Sequence, residues 1–422
     1  MGRGTLDHLD AAIDAGAEAA FAFLANLVRA RSVAGIEQDA LNIFAAEAES
    51  LGLSTTRLPF PGGPVADPSA GIAPTTTDRF QVLAASPGEG PLHLLLNGHM
   101  DVVPAETPAL WTSPPFEPQI RGGRMCGRGA ADMKSGFAVG MLALRALRET
   151  VPDLFSRQRI GFVAVVEEEC TGNGALIAAT QGAIAPEVVV LEPTGLDLLL
   201  GGVGVLWIAV NVIARSGHAE SAHRSVNAID LGMRITARLR DWAADLARTT
   251  PEPSMSTDAH PYNVNLGRLN AGDWTSTVPS SARFGLRLGY PRAWTPDRAE
   301  AEVRRVIAEC AEADSDFPLQ PEVTLTGLRA RGYLLDKDSP LARDLAAAHH
   351  AAHGTAPVAY TVGSTTDARI YLNELATPAI CFGATGHDLH GIDESVDLQS
   401  IVDAARTLAR FILMRFRPGA MP

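Results

Sequence analysis

LHLLLNGHMD, residues 92–101, is a continuous apolar run broken by Asn-Gly-His and closed by Asp101. An apolar run without polar alternation predicts a strand buried on both faces, as in parallel sheets, ending at a functional loop. The design returns twice: IGFVAVVEEE (160–169) ends in three acids, and VVVLEPT (188–194) carries Glu192 near its end. In open α/β sheets ligands bind outside the carboxyl ends of the strands, so three such neighbours would bring these tips together. A single acidic tip reads as a solvated cap. Three of them, with His99, Asp101 and an Asp132 held in the small-residue turn GRGAADMKSG (127–136), read as a site.

Outward from this centre, Leu9, Ile13, Ala17, Phe21, Leu24 and Val28 recur at spacings of three and four within residues 8–31, which predicts an amphipathic opening helix. Further helices are expected near 37–52 and over 134–149. Residues 54–90, containing PFPGGPVADPSAGIAPTTTD, read as an irregular excursion. Between about 205 and 327 the texture changes: alternation in LWIAVNVIA (206–214), a helix near 225–247, strands around 262–270 and 280–290, a helix at 296–313 and a strand at 321–326. That β-α-β-β-α-β order predicts an inserted second domain. A helix at 339–353, the apolar strand TPAICFG (377–383) and a closing helix at 398–414 then return to the first. The expected division is 1–204 and 328–422 for an α/β domain and 205–327 for the insertion.

A chain of 422 residues is long enough for two or three domains. Its 48 acidic against 35 basic residues give a formal charge of −13, which argues against nucleic acid and anionic membrane surfaces as partners. Cys126, Cys170, Cys310 and Cys381 form no CxxC pair and read as free thiols in packing roles, in a reducing compartment. No stretch is read as long and apolar enough for a membrane span, and the first residues carry acids where a signal peptide has its apolar core. The expectation is a cytoplasmic protein. His349, His350 and His353 share one predicted helix and are taken as a solvated face.

The acids Glu167, Glu168 and Glu169 end so apolar a strand that they must raise one another's pKa or be neutralised by a cation. With His99, Glu192 and His390 of HDLHGIDESV (387–396) they offer the mixed nitrogen and oxygen donor set that suits zinc or, less tightly, cobalt and manganese.

The succession GHMDVVPA, GRGAADMKSG, VEEECTGNGA, LEPT, GHAESAHRSVNAI, GDWTSTVP, FGLRLGYP, GSTTDAR and HGIDESV, in this order over nearly the whole chain, resembles the M20 metallopeptidases. That family includes deacetylases, desuccinylases, aminoacylases and carboxypeptidases. The resemblance implies a three-layer α/β/α zinc-hydrolase catalytic domain with an inserted ferredoxin-like α+β lid that dimerises. It implies two zinc ions, one held by His99 and Glu192, the other by Glu169 and His390, with Asp132 bridging both and a shared hydroxide attacking the amide. Counting back from Asn173 and Gly174 places the general base at Glu168; a one-residue slip would make Glu167 the base and Glu168 the ligand. His387 is the rival of His390. Asp101 would accept the second ring proton of His99, and the peptide after Asp132 would be cis. His218 would stabilise the oxyanion in a partner subunit's site, and Arg287, Arg369 and Thr365 would bind substrate carboxylates. Thr275, Ser276 and Thr277 stand where many relatives have Asn. The implied activity is removal of an acetyl, formyl or succinyl group from an N-acylated amino acid. A dipeptidase or carboxypeptidase of the same fold is the alternative, and a silent ligand-binding module is a third reading that the intact ligand set opposes.

Overall fold

The computed structural model describes residues 3–74, 77–255 and 260–416; the outermost ends of the expected first and last domain segments, and Thr75 and Thr76 of the Pro/Gly/Thr-rich stretch, lie outside these. LLLNGH forms the strand Leu94–His99, every residue of it buried. It runs parallel to Ile160–Val165 on one side and to Val188–Val190 on the other. The three strands with charged tips are therefore adjacent, and their carboxyl ends point the same way. Among the described residues they lie in a nine-stranded sheet, with Ser54–Phe60 and Arg79–Ala85 beyond Ile160–Val165, and Ala379–Cys381, Leu198–Gly202 and Tyr333–Leu334 beyond Val188–Val190. Ala359–Val362 pairs in parallel with Leu198–Gly202.

Successive side chains of the buried strands go to opposite cores. Leu94 and Leu96 join the helices Arg3–Arg29, Lys134–Thr150, Pro340–His353 and Leu398–Arg415, whereas Leu95 faces the side of Ala175, Ile370 and Tyr371. This is the three-layer α/β/α arrangement, and it explains why these strands show no alternation. Phe162 closes the larger core against Phe44 and Phe137 with ring centroids 5.1–5.3 Å apart, and burying such a ring contributes about 1.5–3 kcal/mol.

The second unit is antiparallel, in the order Val264–Ala271, Ser281–Tyr290, Gly204–Ile213, Glu322–Ala330. Helices Ala228–Thr249 and Pro296–Glu312 cover one face only. This is the ferredoxin-like order, and its strands alternate as the sequence requires. Local signals set the helix starts: Asn227 and Thr295 accept from Ile229 N and Arg298 N, and Pro296 occupies the first turn.

Several expectations are corrected. Residues 54–90 hold two strands, Ser54–Phe60 and Arg79–Ala85, in antiparallel register. Ser54–Phe60 is an edge strand, largely exposed, where Pro59 is tolerated, so neither apolar content nor alternation announces it. Leu198–Gly202 and a small sheet of Gly386–His387, Ser395–Asp397, Arg124–Cys126 and Gln119–Arg121 were also not foreseen, being too short for a periodic signal. The opening helix does contain a segment, Gly4–Arg29, long and apolar enough to cross a membrane by length and composition. Its many alanines raise the average, and Leu9, Ile13, Leu24, Leu27 and Val28 are buried in the main core. The three helix histidines are not a solvated face: His349 is buried beside Phe382, and His353 Nε2 meets Asp403 O (3.1 Å) and Thr407 Oγ1 (3.0 Å). Only His350 is exposed. Of the four free cysteines, Cys381 alone is fully buried.

Candidate metal centre

His99 ends its strand with Nε2 directed at Asp132 Oδ1, 3.2 Å away. The other oxygen of the same carboxylate, Asp132 Oδ2, lies 3.3 Å from His390 Nε2. His390 Nε2 is also 3.0 Å from the Glu169 carboxylate, while His99 Nε2 is 3.9 Å from Glu192 Oε1 and 4.0 Å from Glu168 Oε2. Asp132 thus stands between two imidazoles, one oxygen toward each. His99, Asp132 and Glu169 offer ligand atoms all within 4.8 Å of one another. Two imidazoles and three carboxylates converging in this way are a donor set that fits divalent zinc, and a carboxylate shared between two histidines fits a pair of ions.

Each side chain is delivered by a definite device. Asp132 sits at the mouth of the helix Lys134–Thr150, and its peptide to Met133 is cis. Gly136 lets that helix settle against the strand end, since a Cβ there would fall 2.2 Å from Leu191 O. Glu192 is consequently held close to Asp132. His99 Nδ1 is 2.9 Å from the Asp101 backbone oxygen, which leaves Nδ1 as the protonated donor and Nε2 as the free lone pair. Here the structure corrects the expectation for Asp101: its carboxylate is 3.8 Å from the ring and instead accepts from Glu168 N (3.3 Å) and Glu169 N (3.1 Å), shaping the turn that carries both acids.

The electrostatics are those of crowded, dehydrated carboxylates. Burial, with Asp132, Asp367 and Glu169 nearby, pushes Glu192 up to about 8 in spite of His99. Burial and the neighbouring Glu169 and Glu192 likewise drive Glu168 well above the ordinary carboxylate range. Burial works to raise Asp132 too, but hydrogen bonds from His390 and His99 hold it well below that range. His390 is pushed up to about 11, chiefly by Glu169. A bound cation relieves these conflicts at once.

The three consecutive glutamates separate into three environments. Glu167, at positive φ of 63°, turns away into a fully buried group with Arg79 and Glu37, and Thr171 Oγ1 donates to it at 2.9 Å. Its carboxylate is spent there, which removes it as the rival base. Glu168 faces His99, and Glu169 faces His390. His390, not His387, stands at Asp132.

Reasoning from sequence missed two residues that hold the site together. Glu394 Oε1 accepts from Ala131 N and Asp132 N, both at 3.0 Å, and its other oxygen pairs with Arg128 at 2.5 Å. Arg128 Nη2 also donates to His390 O (3.1 Å) and Gly391 O (3.0 Å). The pair ties the Asp132 turn to the His390 loop. Their positions, four residues before Asp132 and four after His390, were the available signal. Arg79 and Glu37 carried none, because nothing local links them to Glu167. Asp367, buried near His99, Arg369 and Asn97, was also missed.

The remaining expected residues are dispersed. Arg369 is buried with Nη2 on Thr171 O (3.1 Å), bracing the turn after Glu169 rather than lining an open cleft. Arg287, on the second sheet, donates to Gly363 O (2.8 Å), and burial shifts its guanidinium down, with no anion beside it among the described residues. Thr365 Oγ1 is buried without a hydrogen-bond partner among the described residues. His218 lies outside the cluster, exposed, its Nδ1 accepting from Glu220 N at 3.2 Å.

This fold and this cluster define a metal-dependent hydrolase. The model of peptidase family M20/M25/M40 matches residues 95–414, and the chain belongs to that family, whose members are metal-dependent hydrolases of amide bonds. It is 32% identical over 409 residues to a succinyl-diaminopimelate desuccinylase of Methylobacterium sp. (strain 4-46), covering 94% of this chain and 96% of the relative. To the succinyl-diaminopimelate desuccinylase of Caulobacter sp. (strain K31) it is 28% identical over 387 residues, covering 90% and 91%. Its fold is that of a dipeptidase from Saccharomyces cerevisiae (TM-score 0.77, 15% identity, 96% and 98% of the two chains). An M20 family metallo-carboxypeptidase from Sulfolobus solfataricus also shares it (TM-score 0.71, 15% identity, 93% and 98%).

Proposed function

We propose that the chain is a di-zinc deacylase that releases an amino acid from its N-acyl derivative, with succinyl ahead of acetyl and formyl. The observation that carries this reading is Asp132 placed between His99 and His390, with Glu168 at 4.0 Å from His99. His99 and Glu192 would hold one ion, Glu169 and His390 the other, and Asp132 both; cobalt or manganese would substitute. Such ions would supply a polarised carbonyl and an acidified water. Glu168, raised in pKa by its buried surroundings, takes a proton from the attacking water and returns it to the leaving amine. Arg287 pairs with a substrate carboxylate, a role supported by its burial without an anion among the described residues, and Thr365 Oγ1 offers a further hydrogen bond. The preference for succinyl is supported by the relatives that bear the desuccinylase name.

In this reading 205–327 acts as a lid between the catalytic segments 1–204 and 328–422, and a homodimer forms through it, so that His218 reaches the oxyanion of a second copy. The exposed edge strand Val264–Ala271 and the exposed Trp274 and Leu269 support such a contact. The reading also places the protein in the cytoplasm. Metal analysis with a panel of N-succinyl, N-acetyl and N-formyl amino acids and dipeptides, before and after chelation and zinc return, is the test. Zinc-dependent amine release from one acyl class is the expected result; cleavage of dipeptides alone would replace it with a peptidase.

A further inference from the structure

The edge strand Val264–Ala271 changes face partway along. Val264 and Leu266 stand opposite Leu288 and Leu286 and pack on the helix-covered side. Strict alternation would put residue 268 on that side too. Instead Arg268 stands opposite Gly285, so that Gly267 is taken up in a β-bulge. A bulge re-aims the side chains beyond it. Arg268 is thereby turned to the uncovered face of the sheet, the face shared by Arg287 and its register partner Trp207.

The residues around it leave room. A Cβ on Gly285 would fall 3.1 Å from Arg268 Cβ, so a larger residue there would crowd the arginine. Next to Gly285 across the sheet is Ala209, and the two make a floor without bulk. Arg268 is exposed, and it has no hydrogen bond or ion pair among the described residues. Arg283, one row further out, is engaged with Asn211 (2.9 Å), which also binds Glu322 (3.0 Å).

The uncovered face borders the turn that follows Glu169. Arg287 donates to Gly363, two residues before Thr365. Trp207 lies against Gly327, where a Cβ would fall 2.4 Å from the indole and 2.8 Å from the carbonyl of Cys170, the residue after Glu169. The row of Arg268 is the next one out, roughly 7 Å along the strands. In a chain of net charge −13, two arginines on consecutive rows with no anion beside them among the described residues make the local charge positive.

Building on the deacylase reading, we propose that Arg268 is a specificity-determining residue that takes a second carboxylate of the substrate, the first being held by Arg287. The preferred substrate is then a dianion whose carboxylates are several bonds apart, such as an amino acid acylated by a dicarboxylic acid. The test compares an N-succinyl amino acid with its N-succinamoyl counterpart, whose acyl carboxylate is replaced by a neutral amide, on zinc-loaded full-length protein. Arg268→Gln should raise KM for the succinyl compound about fivefold, leave kcat unchanged and spare the succinamoyl compound. Arg268→Lys should recover most of the loss, and high salt should shrink the difference. Equal effects on both compounds, or none on either, would overturn the proposal. If the wild type hydrolyses neither, the deacylase reading fails on its own. Calorimetric binding of the two compounds to wild type and Arg268→Gln then decides: the same charge-dependent loss upholds the anion site, and its absence removes it.

Discussion

The carboxyl edge of the large sheet and the surface of the inserted sheet both carry many charges, and they treat them in opposite ways. At the large sheet, His99, Glu168 and Glu192 are buried beside a half-buried Asp132, and the carboxylates are close enough to push one another up. On the inserted unit, Arg305 pairs with Glu302 and Glu309 along the outside of one helix, half exposed, at ordinary i,i+3 and i,i+4 spacing. Such exposed pairs contribute little to the inserted unit. The large sheet holds an arrangement that is unfavourable by itself and becomes favourable around cations. Charge that costs stability marks the site; charge that costs nothing is solvation.

That contrast can be broken by experiment, and the largest effect should come at the base. Glu168→Gln should lower kcat by about 10²–10⁴-fold with metal content unchanged, as measured by elemental analysis beside initial rates. Full activity in that variant would end the assignment. Chelation should abolish turnover and lower the melting temperature, and zinc should restore both; at a hundredfold excess over Kd the gain is about 2.7 kcal/mol. A melting curve indifferent to metal would mean that the buried carboxylates are satisfied in another way.

Glu394→Ala should cost about 3–5 kcal/mol in chemical denaturation, because it leaves Arg128 buried without its partner and frees the amides of Ala131 and Asp132. Activity of the remaining folded protein should fall with it, as the Asp132 turn loses its tie to the His390 loop. Glu167→Gln should cost less, about 1.5–3 kcal/mol, since Arg79 keeps Glu37 and the amide still accepts a hydrogen bond. Its kcat should stay within a few fold of wild type, which separates Glu167 from Glu168 directly. At the far end of the scale, Arg305→Ala should change stability by less than about 0.5 kcal/mol and leave kinetics untouched.

Legibility followed the same division. The inserted unit was readable element by element because half-buried strands and helices print their period in the sequence. The buried strands were readable from their unbroken apolar runs and the turn at Asp132 from its small residues, whereas His390 was distinguished from His387 only through the family resemblance. Arg79 and Glu37 were unreadable, since a buried ion group built from three distant segments has no local pattern. The role of Asp101 was misjudged because its backbone oxygen and its carboxylate are equivalent in a sequence and only coordinates distinguish them.

By itself, then, the sequence determined the layers, the inserted unit and the residue types that gather at the strand tips, because periodicity and burial are local properties. The tertiary structure alone decided which of three adjacent glutamates faces which histidine, that Arg128 and Glu394 tie two loops together, and that a bulge turns Arg268 to the open face. Those are matters of register and of contacts between distant segments, and they are set only when the chain closes on itself.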